Sequence, residues 1–160
     1  MTEAIANPRV RVVRGDLVAA AKTDPDIDVI VHGCNCFCTM GAGVAKAIAS
    51  AFPKVREVDN ATVSGDRTKM GTYTSCVCAK DDGSPLTVVN AYTQYRYGRF
   101  GKHFDGEAFR SVLERFNEDF AGKTVGMPWI GCGLAGGSRE EVFRILNGCV
   151  KNFECVVFEL

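Results

Sequence analysis

The sequence predicts an α/β fold, a three-layer α/β/α sandwich around a mixed central sheet. Short β-branched apolar runs alternate with segments of helical periodicity through most of the chain, the pattern of strands covered by helices. The stretch "DVIVHG", residues 28–33, is an apolar run of the type buried on both faces in a central strand. Two glycine-rich loops, residues 33–43 and 131–137, each leave a strand and enter a helix. In open α/β sheets ligands bind outside the carboxyl ends of the strands, so these loops are where function is expected.

Taken in order, "VRVV" (residues 10–13) is a first strand, and Asp16 is placed to cap the short helix that follows it. After "DVIVHG" a helix is expected from Gly43 to Phe52, stopped near Pro53. "GTYTSCVCAKDDG" and "PLTVVNAYTQ" read as two strands joined by a turn at Asp82-Gly83. Between Phe104 and Phe120, apolar residues at Phe109, Val112, Leu113 and Phe116 have helical spacing. "TVGMPWIG" is a strand that ends in a loop. Ser138 with Glu141 three residues on forms a capping pair for a helix to Val150, and "ECVVFEL" is a last strand.

The 160 residues form one expected domain, 1–160, long enough to bury roughly 68–70% of the surface of the unfolded chain. Apolar residues are 46% and charged residues 24% of the composition, and the formal net charge is zero. No basic footprint for nucleic acid is visible, and no apolar run approaches the roughly 20 residues of a membrane span. The start of the chain lacks the basic and apolar regions of a signal peptide. The eight cysteines are therefore expected to be reduced, in a cytoplasmic monomer.

Several motifs are weaker than they look. Cys34, Cys36 and Cys38 alternate, whereas structural zinc favours C-x₂₋₄-C pairs, so no metal is expected. Cys132 precedes Arg139 as in a cysteine phosphatase loop, but with one residue too many between them. "DPDID" (residues 24–28) precedes its strand rather than leaving it, and "GKT" (residues 122–124) lacks the upstream glycine of a P-loop. "GCGLAG" (residues 131–136) has the glycine spacing of a dinucleotide fingerprint, yet too little chain follows for the rest of that fold. The physical content of the motif remains. Glycines at a helix start let backbone N–H groups approach an anion, aided by the helix dipole, and "MGAGVAKAI" (residues 40–48) repeats the device. Two such loops at one sheet edge imply a ligand with two or more phosphates. His32 and Asn35 stand at the mouth of the first loop, where a histidine suits proton transfer; His103 reads as a surface loop residue.

"RGDL" (Arg14 to Leu17), the Asn35 to Val44 loop and "PWIGCGLAG" (Pro128 to Gly136) together resemble the macro domain family of ADP-ribose binders. The resemblance covers essentially the whole chain. "HGCN", "FDGEAFRSVLERF" and "VVFEL" are similar to the branch containing ADP-ribose 1''-phosphate phosphatases and related ADP-ribose hydrolases. It implies a ligand of ADP-ribose or its 1''-phosphate and hydrolysis of that phosphate without cofactor or metal. It also implies an adenine site at Asp16, with Leu17 beside it and Phe158 flanking the ring. Gly41, Ala42, Gly43 and Val44 would wrap the diphosphate and distal ribose together with Gly131, Cys132, Gly133, Leu134, Ala135 and Gly136. Asn35 would orient the distal ribose and His32 would act as general acid or base. Tyr92 or Gln94, leaving a strand on the same side, would add a third wall. A glutamate-cleaving branch carries an aspartate in the second loop, where this chain has Ala135. That departure leaves the phosphatase, a simpler ester hydrolase, and a non-catalytic ADP-ribose module as the readings.

Overall fold

A computed structural model describes residues 6–98, 101–133 and 135–160. Eleven regular elements follow one another as β1 (Val10–Arg14), α1 (Leu17–Thr23), β2 (Val29–Cys34), α2 (Gly43–Ala51), α3 (Lys54–Asn60), β3 (Tyr73–Ala79), β4 (Pro85–Tyr92), α4 (Gly106–Asp119), β5 (Thr124–Met127), α5 (Arg139–Cys149) and β6 (Glu154–Glu159), with a 3-10 turn at Arg67–Lys69. The strands form one sheet in the order β1-β6-β5-β2-β4-β3. All neighbours are parallel except β3 and β4, whose antiparallel hairpin turns at Gly83 with a φ of 86°. The mixed α/β sandwich expected from the sequence is the observed fold.

Each face of the sheet has its own core. On one side α4 and α5 bury Phe109, Val112, Leu113, Phe116, Val142, Ile145 and Leu146 against Val29, Val31, Val89, Val125 and Met127. On the other, α1, α2 and α3 bury Leu17, Ile48 and Val55 against Ile30, Val88 and Val156. Residues 29–31 of β2 thus supply both cores, as its uninterrupted apolar run requires. Each large apolar side chain buried this way contributes roughly 1.5–3 kcal/mol.

Two boundaries differ from the sequence reading. Pro53 ends α2 but also opens α3, because proline is tolerated in a first helical turn, where its missing N–H has no partner to lose. The α4 helix starts at Gly106 behind an Asp105 cap, and Phe104 stays outside it in an isolated bridge with Gln94. Among the described residues, no helix is long and apolar enough to cross a membrane.

The topology also places the two glycine loops. β2 lies between β4 and β5, and the chain leaves it toward the β4 side while β5 arrives on the other. The loops after β2 and β5 therefore flank the same crevice at the carboxyl end of the sheet, where α/β sheets bind ligands.

Candidate functional site

Between those two loops lies a cavity of about 580 Å³, inside the range of small-molecule sites. The first loop is shaped by Asn35. Its amide nitrogen donates to Thr39 O at 3.1 Å and Thr39 Oγ1 at 2.7 Å, and its Oδ1 accepts from the Phe37 amide at 2.8 Å. This closes a tight turn that puts Cys38 in the left-handed region at φ 58°. Gly43, at φ 59°, then turns the chain into α2.

The start of α2, like that of the seven-residue α3 behind Pro53, has no side-chain cap. Asp16, Asp105 and Ser138 cap α1, α4 and α5 with side-chain oxygens, but the residue before α2 is Ala42, which has no side-chain acceptor. The first intrahelical bond runs from Lys46 N to Ala42 O. The amides of the first turn, at Gly43, Val44 and Ala45, thus lack an intrahelical partner, and all three residues line the cavity. Uncapped N–H groups at the positive end of a helix dipole form an anion site.

The second loop supplies the opposite wall through Gly131, Gly133 and Ala135. Gly131 and Gly136 take φ of 76° and 78°. Gly137 N donates to Gly131 O at 2.7 Å and Gly136 N to Gly133 O at 3.1 Å, which tightens the loop. A third wall is present as well, at Gln94, Tyr97 and Gly98. It is tied to the second loop because the amides of His103 and Phe104 both donate to Ala135 O, at 2.6 and 3.0 Å.

His32, Asn35, Gly41, Ala42, Gly43, Val44, Gln94, Gly131, Gly133 and Ala135 all line the cavity. Leu134 lies outside the described residues. Cys132 and Gly136 belong to the loop but not to the lining, since Gly136 backs onto Gly101 O. Asp16, Leu17 and Phe158 are not in the cavity lining; they lie at the neighbouring ends of β1 and β6, with Leu17 buried in the core. A methyl group on Gly126 would sit 3.2 Å from Phe158 Cε2 and 3.3 Å from Leu17 Cδ1, and the Phe158 ring also covers Gly15. Asp16 spends Oδ1 on the Val18 amide at 3.1 Å.

Two expectations are corrected. Tyr92 does not face the cavity: it is fully buried and its hydroxyl donates to Asp59 at 2.8 Å. Strand alternation turns its ring toward α3, and only Gln94, beyond the strand end, reaches the cavity. Of the two roles expected for His32, general acid or base, the acid is disfavoured at neutral pH because the ring holds no imidazolium proton to give. His32 is 1% exposed, with Nε2 2.7 Å from Asn90 Oδ1. Asn90 donates from its amide nitrogen to Val55 O and Thr74 Oγ1, so Oδ1 is the acceptor and His32 carries its proton on Nε2. Burial pulls its pKa down to about 4, against a smaller upward pull from the Asn90 bond. The imidazole is therefore neutral at pH 7.

The three alternate cysteines diverge. Cys34 Sγ sits beside the His32 ring, Cys36 Sγ meets Gln94 O, and Cys38 Sγ meets Asp59 O at 3.3 Å. Sequence reasoning missed Thr39, Met40, Tyr97 and Trp129 in the lining. Their residue types carry no chemical signature by themselves, and the topology alone brings them to the cavity.

The comparisons with known proteins agree with this architecture. The family model described as Macro domain matches residues 31–146. An uncharacterized 17.5 kDa protein from the tk-vs intergenic region of Enterobacteria phage T4 is 35% identical over 155 residues, which cover 94% of this chain and 96% of that protein. The macrodomain of Thermus aquaticus DarG superposes with a TM-score of 0.67 at 22% identity, covering 94% of this chain and 98% of its own. Thermosipho africanus DarTG, solved in complex with ADP-ribose, matches with a TM-score of 0.67 at 16% identity, covering 99% of this chain and 43% of its own.

Proposed function

The chain belongs to the macro domain family, and on that premise we propose that it binds ADP-ribose in this cavity and hydrolyses ADP-ribose 1''-phosphate to ADP-ribose and phosphate. One observation carries the reading: the uncapped first turn of α2 faces the Gly131–Ala135 loop across a cavity of about 580 Å³. A diphosphate held between them is met by backbone N–H groups and by the dipole of α2. The adenine falls toward Asp16, Leu17 and Phe158, where the second carboxylate oxygen of Asp16 accepts its amino group. The distal ribose falls toward Asn35, Gln94 and Tyr97. The ADP-ribose in the Thermosipho africanus structure supports the same ligand class.

The 1''-phosphate then projects at the His32 and Asn35 end of the cavity. Binding energy from the diphosphate and adenosine fixes it, so that attack by water becomes nearly unimolecular. Backbone amides of the second loop stabilise the charge that develops on phosphorus oxygens. His32 contributes as a neutral group that keeps β2 and β4 in register beneath the site, through Asn90. Asn35 contributes by holding the loop shape.

A second reading, ADP-ribose binding without chemistry, draws on the same geometry. His32 is neutral and Asn35 spends its amide inside its own loop, which leaves positioning and amide dipoles as the means of catalysis. The two readings part in one assay. The purified protein is incubated with ADP-ribose 1''-phosphate in the presence of a chelator, and phosphate and ADP-ribose are followed over time. Stoichiometric release of both, above the protein-free rate, is expected. Release of neither, with ADP-ribose still bound, moves the function to a binding module, and O-acetyl-ADP-ribose in the same assay tests the ester hydrolase.

A further inference from the structure

We propose that Trp129 is a wall for the adenosine half of the bound nucleotide, held by Glu159 and Arg139 as positioning residues. The inference rests on the ADP-ribose reading and adds residues that neither the sequence nor the loops assign. Trp129 lines the cavity just beyond β5. In the strand order β1-β6-β5-β2 it stands between Phe158 and Glu159 on β6 and Asn35 after β2. It therefore separates the Asp16 end of the site from the distal ribose end.

The ring is fixed from behind. Its indole N–H donates to Glu159 Oε1 at 3.0 Å, and the same oxygen accepts from Arg139 Nη1 at 2.6 Å. The Arg139 guanidinium lies 5.6 Å from the indole centre, and Phe143 meets the indole edge-on at 6.3 Å. The Glu159 and Arg139 side chains are 28% and 61% exposed, so their ion pair by itself adds little stability. Its effect is on the indole. With the donor used and the ring immobilised, Trp129 offers the ligand a preorganised apolar surface, suited to a flat heterocycle.

Trp129 is the sole tryptophan of the chain, which makes the proposal directly measurable. Tryptophan emission is followed during titration with ADP-ribose, AMP and ribose 5-phosphate, alongside calorimetry with ADP-ribose. ADP-ribose and AMP are expected to quench emission saturably, with the calorimetric Kd recovered for ADP-ribose, and ribose 5-phosphate is expected to leave emission unchanged. Trp129→Leu should bind ADP-ribose about tenfold more weakly, a change of about 1.4 kcal/mol and within the range of one base–aromatic contact. Glu159→Ala should weaken binding several-fold and shift the emission of the free protein to the red. Glu159→Gln, whose amide oxygen still accepts the indole N–H, should restore affinity to within about twofold. ADP-ribose that binds by calorimetry without moving the emission overturns the proposal. So does a folded Trp129→Leu of unchanged affinity; were that variant unfolded, the emission titration of the native protein still decides. Absence of any calorimetric binding removes the ADP-ribose reading itself, and this inference with it.

Discussion

Gly131→Ala is expected to destabilise the protein by about 2–5 kcal/mol and to abolish ligand binding. Two costs add at this position. The backbone φ of 76° is left-handed, where any side chain is strained. The added methyl would also lie 2.2 Å from Phe104 Cδ1 and 2.5 Å from Phe104 Cγ. Phe104 cannot yield easily: it is 4% exposed, its ring packs edge-on against Phe109, and its amide is bonded to Ala135 O. Relief must come from the second loop, which carries the cavity wall. Gly133 provides the control, because it lines the same cavity with no atom of the described residues within 4 Å of its methyl position and no left-handed φ. Gly133→Ala should retain stability to within about 0.5 kcal/mol. Urea denaturation of the two variants beside the native protein checks this, and equal stabilities would contradict the close packing of Phe104 on Gly131.

The second large effect is a loss of stability in mild acid that belongs to His32. Its folded pKa of about 4 lies below the ordinary value of 6.5, so between these values the unfolded chain takes up a proton that the folded protein refuses. Stability from this group is complete above pH 6.5, falls as pH drops toward 4, and is level below that. The window corresponds to about 3 kcal/mol. His32→Gln, which still offers Asn90 an amide donor, should lose this slope. Carboxylates common to both proteins cancel in the difference. Urea midpoints at pH 7 and pH 4.5 measure it, and parallel falls for both proteins would show that His32 is not the source.

The cause of that acid sensitivity also shows where the sequence was informative. The position of His32 at the end of a strand beside a glycine loop was legible, and that is enough to suspect proton transfer. Its partner Asn90 is 58 residues away on β4, and the burial that keeps the ring neutral exists only once β2 and β4 are in register. Asn35 is a similar case. Its place at the loop mouth was legible, but its bonds to Thr39 and Phe37 were not, because they depend on the turn that the loop adopts. The alternation of strands and helices, the caps at Asp16 and Ser138, and the facing glycine loops are local patterns, and all appear in the structure. The α3 helix was missed because Pro53 is an equally good end and beginning. Trp129 was missed because the topology alone brings it to the cavity, where Glu159 bonds it from the last strand and Arg139 bonds Glu159 from the last helix.

The proposed binding of the diphosphate depends on the bare first turn of α2. A calorimetric titration of ADP-ribose into the native protein and into Ala42→Asp, compared side by side, tests it most directly. An aspartate at this position supplies the missing helix cap, which should stabilise the fold by about 1 kcal/mol, and it places a negative charge where the diphosphate is proposed to sit. Saturable one-to-one binding by the native protein, weakened at least tenfold in a more stable Ala42→Asp, is the result expected. No binding by the native protein, or equal affinity in both, would contradict it.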